Sequence, residues 1–209
     1  MRSLEEELMR YARENLSDQR FGHVERVVET IDRIALAHGL SCEDCRTVGW
    51  LHDSAKQRPK EEFPRLVDEG RIEIDEETLR VPKLWHGYHA AYIGQSEFGI
   101  DRHELLDAVR FHPTGAPGLG GVGLALFVAD YAEPGRPMEH TEEIRQEATR
   151  SLVPAALRVV NEKLAYLSRK GRIPHSRSLA FRDWLESRPE VRESARAKAA
   201  QRLPRGVRD

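Results

Sequence analysis

The chain has 209 residues, 39% hydrophobic and 33% charged, which suffices for one domain with a sizeable core plus short appendages. With 33 Lys and Arg against 35 Asp and Glu the formal charge is −2, so no global basic excess draws it to nucleic acid or to an anionic membrane. Two cysteines exclude a disulfide framework and suit a reducing cytoplasm, whereas nine histidines require an explanation.

The opening segment, MRSLEEELMRYAREN, has no apolar stretch of the secretory type, so no signal peptide is expected. Ser3 with Glu6 forms a capping box that starts a helix over Leu4 to Leu16, with Leu4, Leu8, Tyr11 and Ala12 as its stripe. A second helix, Asp18 to His38, places Phe21, His23, Val24, Val27, Val28, Ile31, Ile34 and Ala35 on one face and stops at Gly39. Ser41 with Asp44 opens a third, in which Cys45, Val48, Leu51, His52 and Ala55 recur at helical spacing up to Pro59. A looser stretch from Arg58 to Pro82 holds short helices near Glu61 to Asp68 and Glu76 to Arg80.

From Leu84 to Phe98 a helix carries His86, His89 and Ile93 along one side. Asp101 with Glu104 predicts the cap of the next, whose Leu105, Val109 and His112 share a face up to Pro113. PTGAPGLGGVG reads as a Gly-rich loop, and Leu124 to Ala132 resumes as a helix bearing Asp130, ended by Pro134 and Gly135. The weakly polar run from Gly118 to Ala129 is too short for the roughly 20 apolar residues of a membrane span. A long helix is expected over Val153 to Lys170 and a short one over Leu179 to Leu185. The remainder, Glu186 to Asp209, has seven basic residues against four acidic ones and reads as an exposed or disordered tail. No strand-like alternation persists, so the fold class is all-α, a single helical bundle.

His23, His52, Asp53, His86, His112 and Asp130 fall on faces predicted to be apolar. A buried imidazole or carboxylate with no partner costs several kcal/mol. Singly, each has a packing explanation: a satisfied core histidine, or for Asp130 an ion pair with Arg136. Together, spread over helices that can converge, they form a donor set suited to iron, manganese, zinc or cobalt more than to magnesium. Cys42 and Cys45 form a C-x-x-C that lacks the second pair a zinc site needs.

His23, then WLHDSAK at 50–56, then FVADY at 127–131 resembles the H…HD…D order of HD-domain metal-dependent phosphohydrolases. RFGHV at 20–24, LWHG at 84–87, EFGI at 97–100, DAVRFHPTGAPG at 107–118 and VADYAEPGR at 128–136 extend the likeness to the bacterial symmetrical diadenosine tetraphosphate hydrolases. The resemblance covers about residues 17–185; it implies an HD domain there, an N-terminal helix (1–16) packed on it, and the tail (186–209) outside it.

What this implies is a buried dinuclear site of two divalent transition-metal ions, with iron preferred. His23, His52, Asp53 and Asp130 would hold one ion; His86 and His112, sharing Asp53, would hold the other. A hydroxide bridging the ions would attack a central phosphorus and release two ADP. Asp53 and Lys56 would serve catalysis, while Lys56, His89, Thr114, Gly115 and Arg136 would contact a dinucleoside polyphosphate. The sequence reads HGYHAA at 86–91 and HPTG at 112–115 where the family more often has HGPVGA and HTTG. Other nucleotides (a nucleoside di- or triphosphate, an alarmone) and a non-catalytic metal- and nucleotide-binding module are the alternative readings. No membrane or specific nucleic-acid partner is expected, and a homodimer fits the resemblance.

Overall fold

The computed structural model describes residues 2–136 and 140–193, and among these there are helices and turns but no strand. The helices are α1 (Leu4–Asn15), α2 (Asp18–His38), α3 (Cys42–Leu51), α4 (Glu62–Asp68), α5 (Glu76–Leu79), α6 (Trp85–Phe98), α7 (His103–Phe111), α8 (Gly121–Ala132), α9 (Thr141–Arg150), α10 (Leu152–Arg169) and α11 (Ser176–Glu186).

The centre is α8. Its residues from Gly123 to Ala129 are all buried, the signature of a helix apolar all round, and α2, α3, α7, α9 and α10 pack about it. Each large side chain it buries, such as Leu126 or Phe127, stabilises the bundle by about 1.5–3 kcal/mol relative to exposure. α1 lies on α3 and contributes Leu8 and Ala12 to the same core. A satellite core of Phe63, Leu66, Ile72 and Tyr88 seals the looser stretch onto α6.

Sequence signals account for many boundaries. Both halves of the Ser3–Glu6 capping box form, Ser41 Oγ accepts from the Asp44 N–H, and Gly39 ends α2 in the left-handed region at φ 63°. Elsewhere packing overrides the local signal. α8 begins at Gly121, not Leu124, because a glycine there lets Leu40 approach: a Cβ would lie 2.6 Å from Leu40 Cδ2. Asp101 does not cap α7; Arg102 occupies that position, and it pairs with Asp44 and Glu104. α9, for which the sequence reading has no helix, buries Thr141, Ile144 and Ala148 at helical spacing in an otherwise polar segment. α11 starts three residues before its expected position, at Ser176. In the tail, residues 187–193 are mostly exposed, and 194–209 lie outside the described residues.

The departure with most consequence is at the end of α3. The helix stops at Leu51 and does not continue to Pro59, and the chain tightens into turns in which Ser54, Lys56 and Arg58 donate to carbonyls three residues back. His52, Asp53, Ser54 and Ala55 are all buried there, so the turns carry the buried run of Thr47 to Leu51 on into the interior. That tightening turns two consecutive side chains, His52 and Asp53, toward the same interior.

Candidate metal centre

Five elements deliver the six expected side chains to one place. His23 comes from the second turn of α2, His52 and Asp53 from the turns after α3, His86 from the start of α6, His112 from the residue after α7, and Asp130 from α8. Gly87 sets the approach of α6 to α7, since a Cβ there would lie 2.5 Å from the Arg110 carbonyl oxygen. His86 and His112 thereby meet, their Nε2 atoms 3.1 Å apart. His52 stands edge-on to both neighbouring rings, 5.0 Å from His112 and 5.6 Å from His23 between centroids.

The outward ring nitrogens fix the inward ones. His52 Nδ1 donates to Gly49 O at 2.7 Å, His112 Nδ1 to Val109 O at 2.7 Å, and His86 Nδ1 to Lys83 O at 2.9 Å. A carbonyl can only accept, so each proton is on Nδ1 and each Nε2 presents a lone pair to the interior. His23 Nδ1 is set in the same way by the Glu133 carboxylate at 3.1 Å. The Nε2 atoms of His23 and His52 are buried without a hydrogen bond; His23 Nε2 lies 3.2 Å from Asp130 Oδ1 but is not aligned to bond it. Buried nitrogens left unpaired, together with two lone pairs facing each other at 3.1 Å, are costly in a protein alone and are the arrangement a cation relieves. Lys56 partly supplies that charge, with its Nζ 2.9 Å from His86 Nε2 and 3.5 Å from Asp53 Oδ1.

Asp53 sits among the rings, its Oδ1 3.4 Å from His86 Nε2 and 3.8 Å from His112 Nε2, its Oδ2 3.8 Å from His23 and 3.9 Å from His52. Asp130 Oδ1 is 4.0 Å from His52 Nε2. Two triads thus have donor atoms within 4.8 Å of one another, His23–His52–Asp130 and His52–Asp53–His112, with His86 beside the second. Burial disfavours the imidazolium and lowers His52, His112 and His86, the last to about 4, helped by Lys56. Burial pushes Asp53 and Asp130 up, but the surrounding histidines with Lys56 at Asp53, and the His23 contact, histidines and Arg136 at Asp130, outweigh it and hold both below the usual carboxylate range. Neutral imidazoles and ionised carboxylates are the protonation states that metal ligation needs, and the residues fit a divalent transition metal.

Supporting residues that sequence reasoning missed are Glu133, Arg20 and Arg26. Glu133 is buried just past α8; besides positioning His23, it accepts from Arg26 Nε and from the Gly135 N–H, both at 2.5 Å. Arg20 Nη1 donates to Asp53 Oδ2 at 2.9 Å. Nothing local marks these positions, because each acts through a partner distant in sequence.

The expected substrate contacts divide. The Arg136 guanidinium donates to Asp130 twice, to the side-chain Oδ1 at 2.7 Å and to the backbone carbonyl at 3.0 Å. The N–H groups of Thr114 and Gly115 both bond Phe111 O, so neither is open to a phosphate, and Gly115 packs against the Phe181 ring at φ 70°. His89 points to Glu62 Oε1, 3.5 Å away, and to the Phe63 ring.

A cleft of about 1050 Å³ adjoins Asp130. Arg80, Lys83, Arg136, Lys163, Arg169 and Arg172 line it against the acids Glu77, Asp130 and Glu162, with Tyr131 and Tyr166 on its walls. Basic side chains so concentrated, in a chain of near-zero net charge, favour a polyanionic ligand. A further acid and histidine group at its edge, Asp75, Glu77 and His175, is already engaged: Asp75 binds Thr78 and Arg177, Glu77 binds Ser176, and His175 contacts Thr78. These contacts tie α11 to α5.

Comparison with known proteins agrees with this geometry. The HD domain family profile matches residues 20–150. The chain is 30% identical over 183 residues to a Bacillus subtilis (strain 168) protein named symmetrical bis(5'-nucleosyl)-tetraphosphatase, covering 87% of this chain and 97% of that one. A Staphylococcus aureus (strain NCTC 8325) protein of the same name is 31% identical over 144 residues, 68% of this chain and 73% of the relative. Among solved structures, a Clostridium acetobutylicum protein described as a predicted HD superfamily hydrolase involved in NAD metabolism superposes with a TM-score of 0.83 at 29% identity, covering 90% of this chain and 98% of that one.

Proposed function

The chain belongs to the HD-domain family, and from that premise we propose that it hydrolyses diadenosine tetraphosphate symmetrically to two ADP, with two divalent transition-metal ions held by His23, His52, Asp53, His86, His112 and Asp130. The observation that carries this reading is the convergence of inward-facing Nε2 lone pairs on two buried aspartates. The His52 Nε2 common to both triads can serve one ion only, so support for two ions comes from the Asp53 carboxylate, whose Oδ1 faces His86 and His112 and whose Oδ2 faces His23 and His52. Iron is the metal the family resemblance implies, and the donor set is equally compatible with manganese, cobalt or zinc.

When bound, such ions lower the pKa of coordinated water toward neutrality and neutralise phosphate charge. The chain supplies the rest. Asp53 presents one oxygen toward His86 and the other toward His23, and Arg20 holds its orientation. Glu133 keeps His23 in the tautomer that faces Asp130. Lys56 and Arg136 hold positive charge at the rim of the cluster, where charge grows on the phosphoryl oxygens. The basic cleft receives the tetraphosphate, and Tyr131 and Tyr166 offer faces to adenine. In the reaction the oxygen of water joins a central phosphorus, its bond to the bridging oxygen breaks, and ADP departs. Neither cysteine is in a disulfide, and no described helix is long and apolar enough to cross a membrane, so a reducing cytoplasm is the compartment this reading favours.

The test is a substrate panel run beside His52→Ala and Asp53→Ala. The wild type should prefer diadenosine tetraphosphate over nucleoside di- and triphosphates and alarmones, and both variants should lose turnover and metal loading. A fully active variant, or a clear preference for a mononucleotide, would overturn the reading.

A further inference from the structure

Lys163, on α10, is a cation that the bundle does not neutralise. Its Nζ lies 4.5 Å from the centroid of the Phe127 ring, and among the described residues no carboxylate oxygen comes within ion-pair distance. Its electrostatic neighbours are Asp130, which attracts it, and Arg136 and Lys56, which repel it. Those two have carboxylate partners of their own, Asp130 and Asp53. The side chain is half-buried and lines the cleft beside Asp130. Burial pulls its ammonium down to about 8, which leaves it charged at neutral pH.

A third cation beside two others, with no ion-pair partner of its own and only the face of the Phe127 ring beneath it, is under-compensated in the folded state. The arrangement becomes favourable once a polyanion enters the cleft. We propose that Lys163 is a substrate-binding residue that holds the phosphate chain against the metal centre from the α10 side, completing an arc with Lys56 and Arg136. This rests on the reading that the cleft takes a polyphosphate, but it does not require that diadenosine tetraphosphate be the one.

The test uses the full, metal-loaded chain with two probes. Calorimetric titration with inorganic tripolyphosphate should show Lys163→Met binding about tenfold or more weakly, as expected for the loss of one charge-assisted contact, with Lys163→Arg restoring most of it. On diadenosine tetraphosphate, KM should rise by a similar factor while metal content stays at the wild-type level. Amine acetylation of the wild type, read by mass spectrometry, needs no variant: tripolyphosphate should protect Lys163. Unchanged tripolyphosphate affinity in Lys163→Met, or unprotected Lys163 in the saturated wild type, would overturn the proposal. If the tripolyphosphate results hold and diadenosine tetraphosphate is not cleaved, Lys163 keeps its role and the substrate assignment falls. If it is cleaved and Lys163→Met is indistinguishable from wild type, the reverse follows.

Discussion

Glu133 shows how much of the centre depends on residues that would touch no metal. Its carboxylate accepts from His23 and is clamped by Arg26 and the Gly135 N–H, so although burial pushes its pKa up, those contacts keep it ionised. Glu133→Gln should weaken metal binding about 10- to 100-fold, the usual cost of removing an outer partner of a ligating histidine. Competition with a chelator of known affinity reads this directly, and an unchanged metal affinity would refute the role. The histidines make a second prediction. His52, His86 and His112 titrate below their ordinary value because burial disfavours the imidazolium. Their contribution is therefore complete above the unfolded value of about 6.5 and is lost as pH falls through the folded ones, about 4 for His86. Thermal melts of the metal-free protein should show stability falling across that window, by up to about 1.4 kcal/mol per pH unit for each histidine, while Asp53 and Asp130 stay ionised. A flat profile from pH 7 to 4 would contradict it. The six candidate ligands could be read from the sequence because imidazoles and carboxylates on apolar faces conflict with burial. Glu133, Arg20 and Lys163 could not, because acidic and basic residues near helix ends are ordinary until the fold supplies their partners.

Among the elements, the contact of α6 with α7 controls whether the second half of the centre exists. Gly87 permits it, with no room for a Cβ against the Arg110 carbonyl. Gly87→Ala should push α6 away, destabilise the protein by about 1–3 kcal/mol as overpacking does, and separate His86 from His112. Denaturant unfolding and metal counting together check this; full metal loading at unchanged stability would show that the contact is not limiting. Elements with a strong period, such as α2 and α10, were legible within a residue or two. α9 is not legible, because its inward residues Thr141, Ile144 and Ala148 are a minority in a mostly polar segment, and the α8 start is hidden in a Gly-rich run that reads as a loop, although Gly121 serves contact with Leu40. The end of α3 is hidden in the sequence because helical spacing of Cys45, Val48, Leu51 and Ala55 continues past the point where the chain tightens. The adjacent pair His52 and Asp53 carries no local sign of that tightening, because regular helices also bury consecutive residues, as α2 does with Val27 and Val28 and with Ile34 and Ala35.

At the scale of the molecule, the centre joins α2, α3, α6, α7 and α8, so metal binding is coupled to the folding of the whole bundle. Free metal at about 100 times its dissociation constant should stabilise the fold by about 2.7 kcal/mol, and chelation should lower the melting temperature accordingly. A melting temperature indifferent to chelation would place the ions outside the core. The concentration of basic residues in the cleft predicts that KM rises steeply with ionic strength while kcat changes little. Fold class and the order of most helices followed from hydrophobic period alone, whereas the cleft, formed where α8, α10 and the segment around Pro113 meet, depends on contacts remote in sequence. The most direct test of the central claim is to purify the protein without a metal-chelating tag, count metals per chain, and identify the products that the same sample releases from diadenosine tetraphosphate. About two ions per chain with ADP as the sole product is the predicted result. ATP with AMP, or no turnover from a protein carrying both ions, would contradict it.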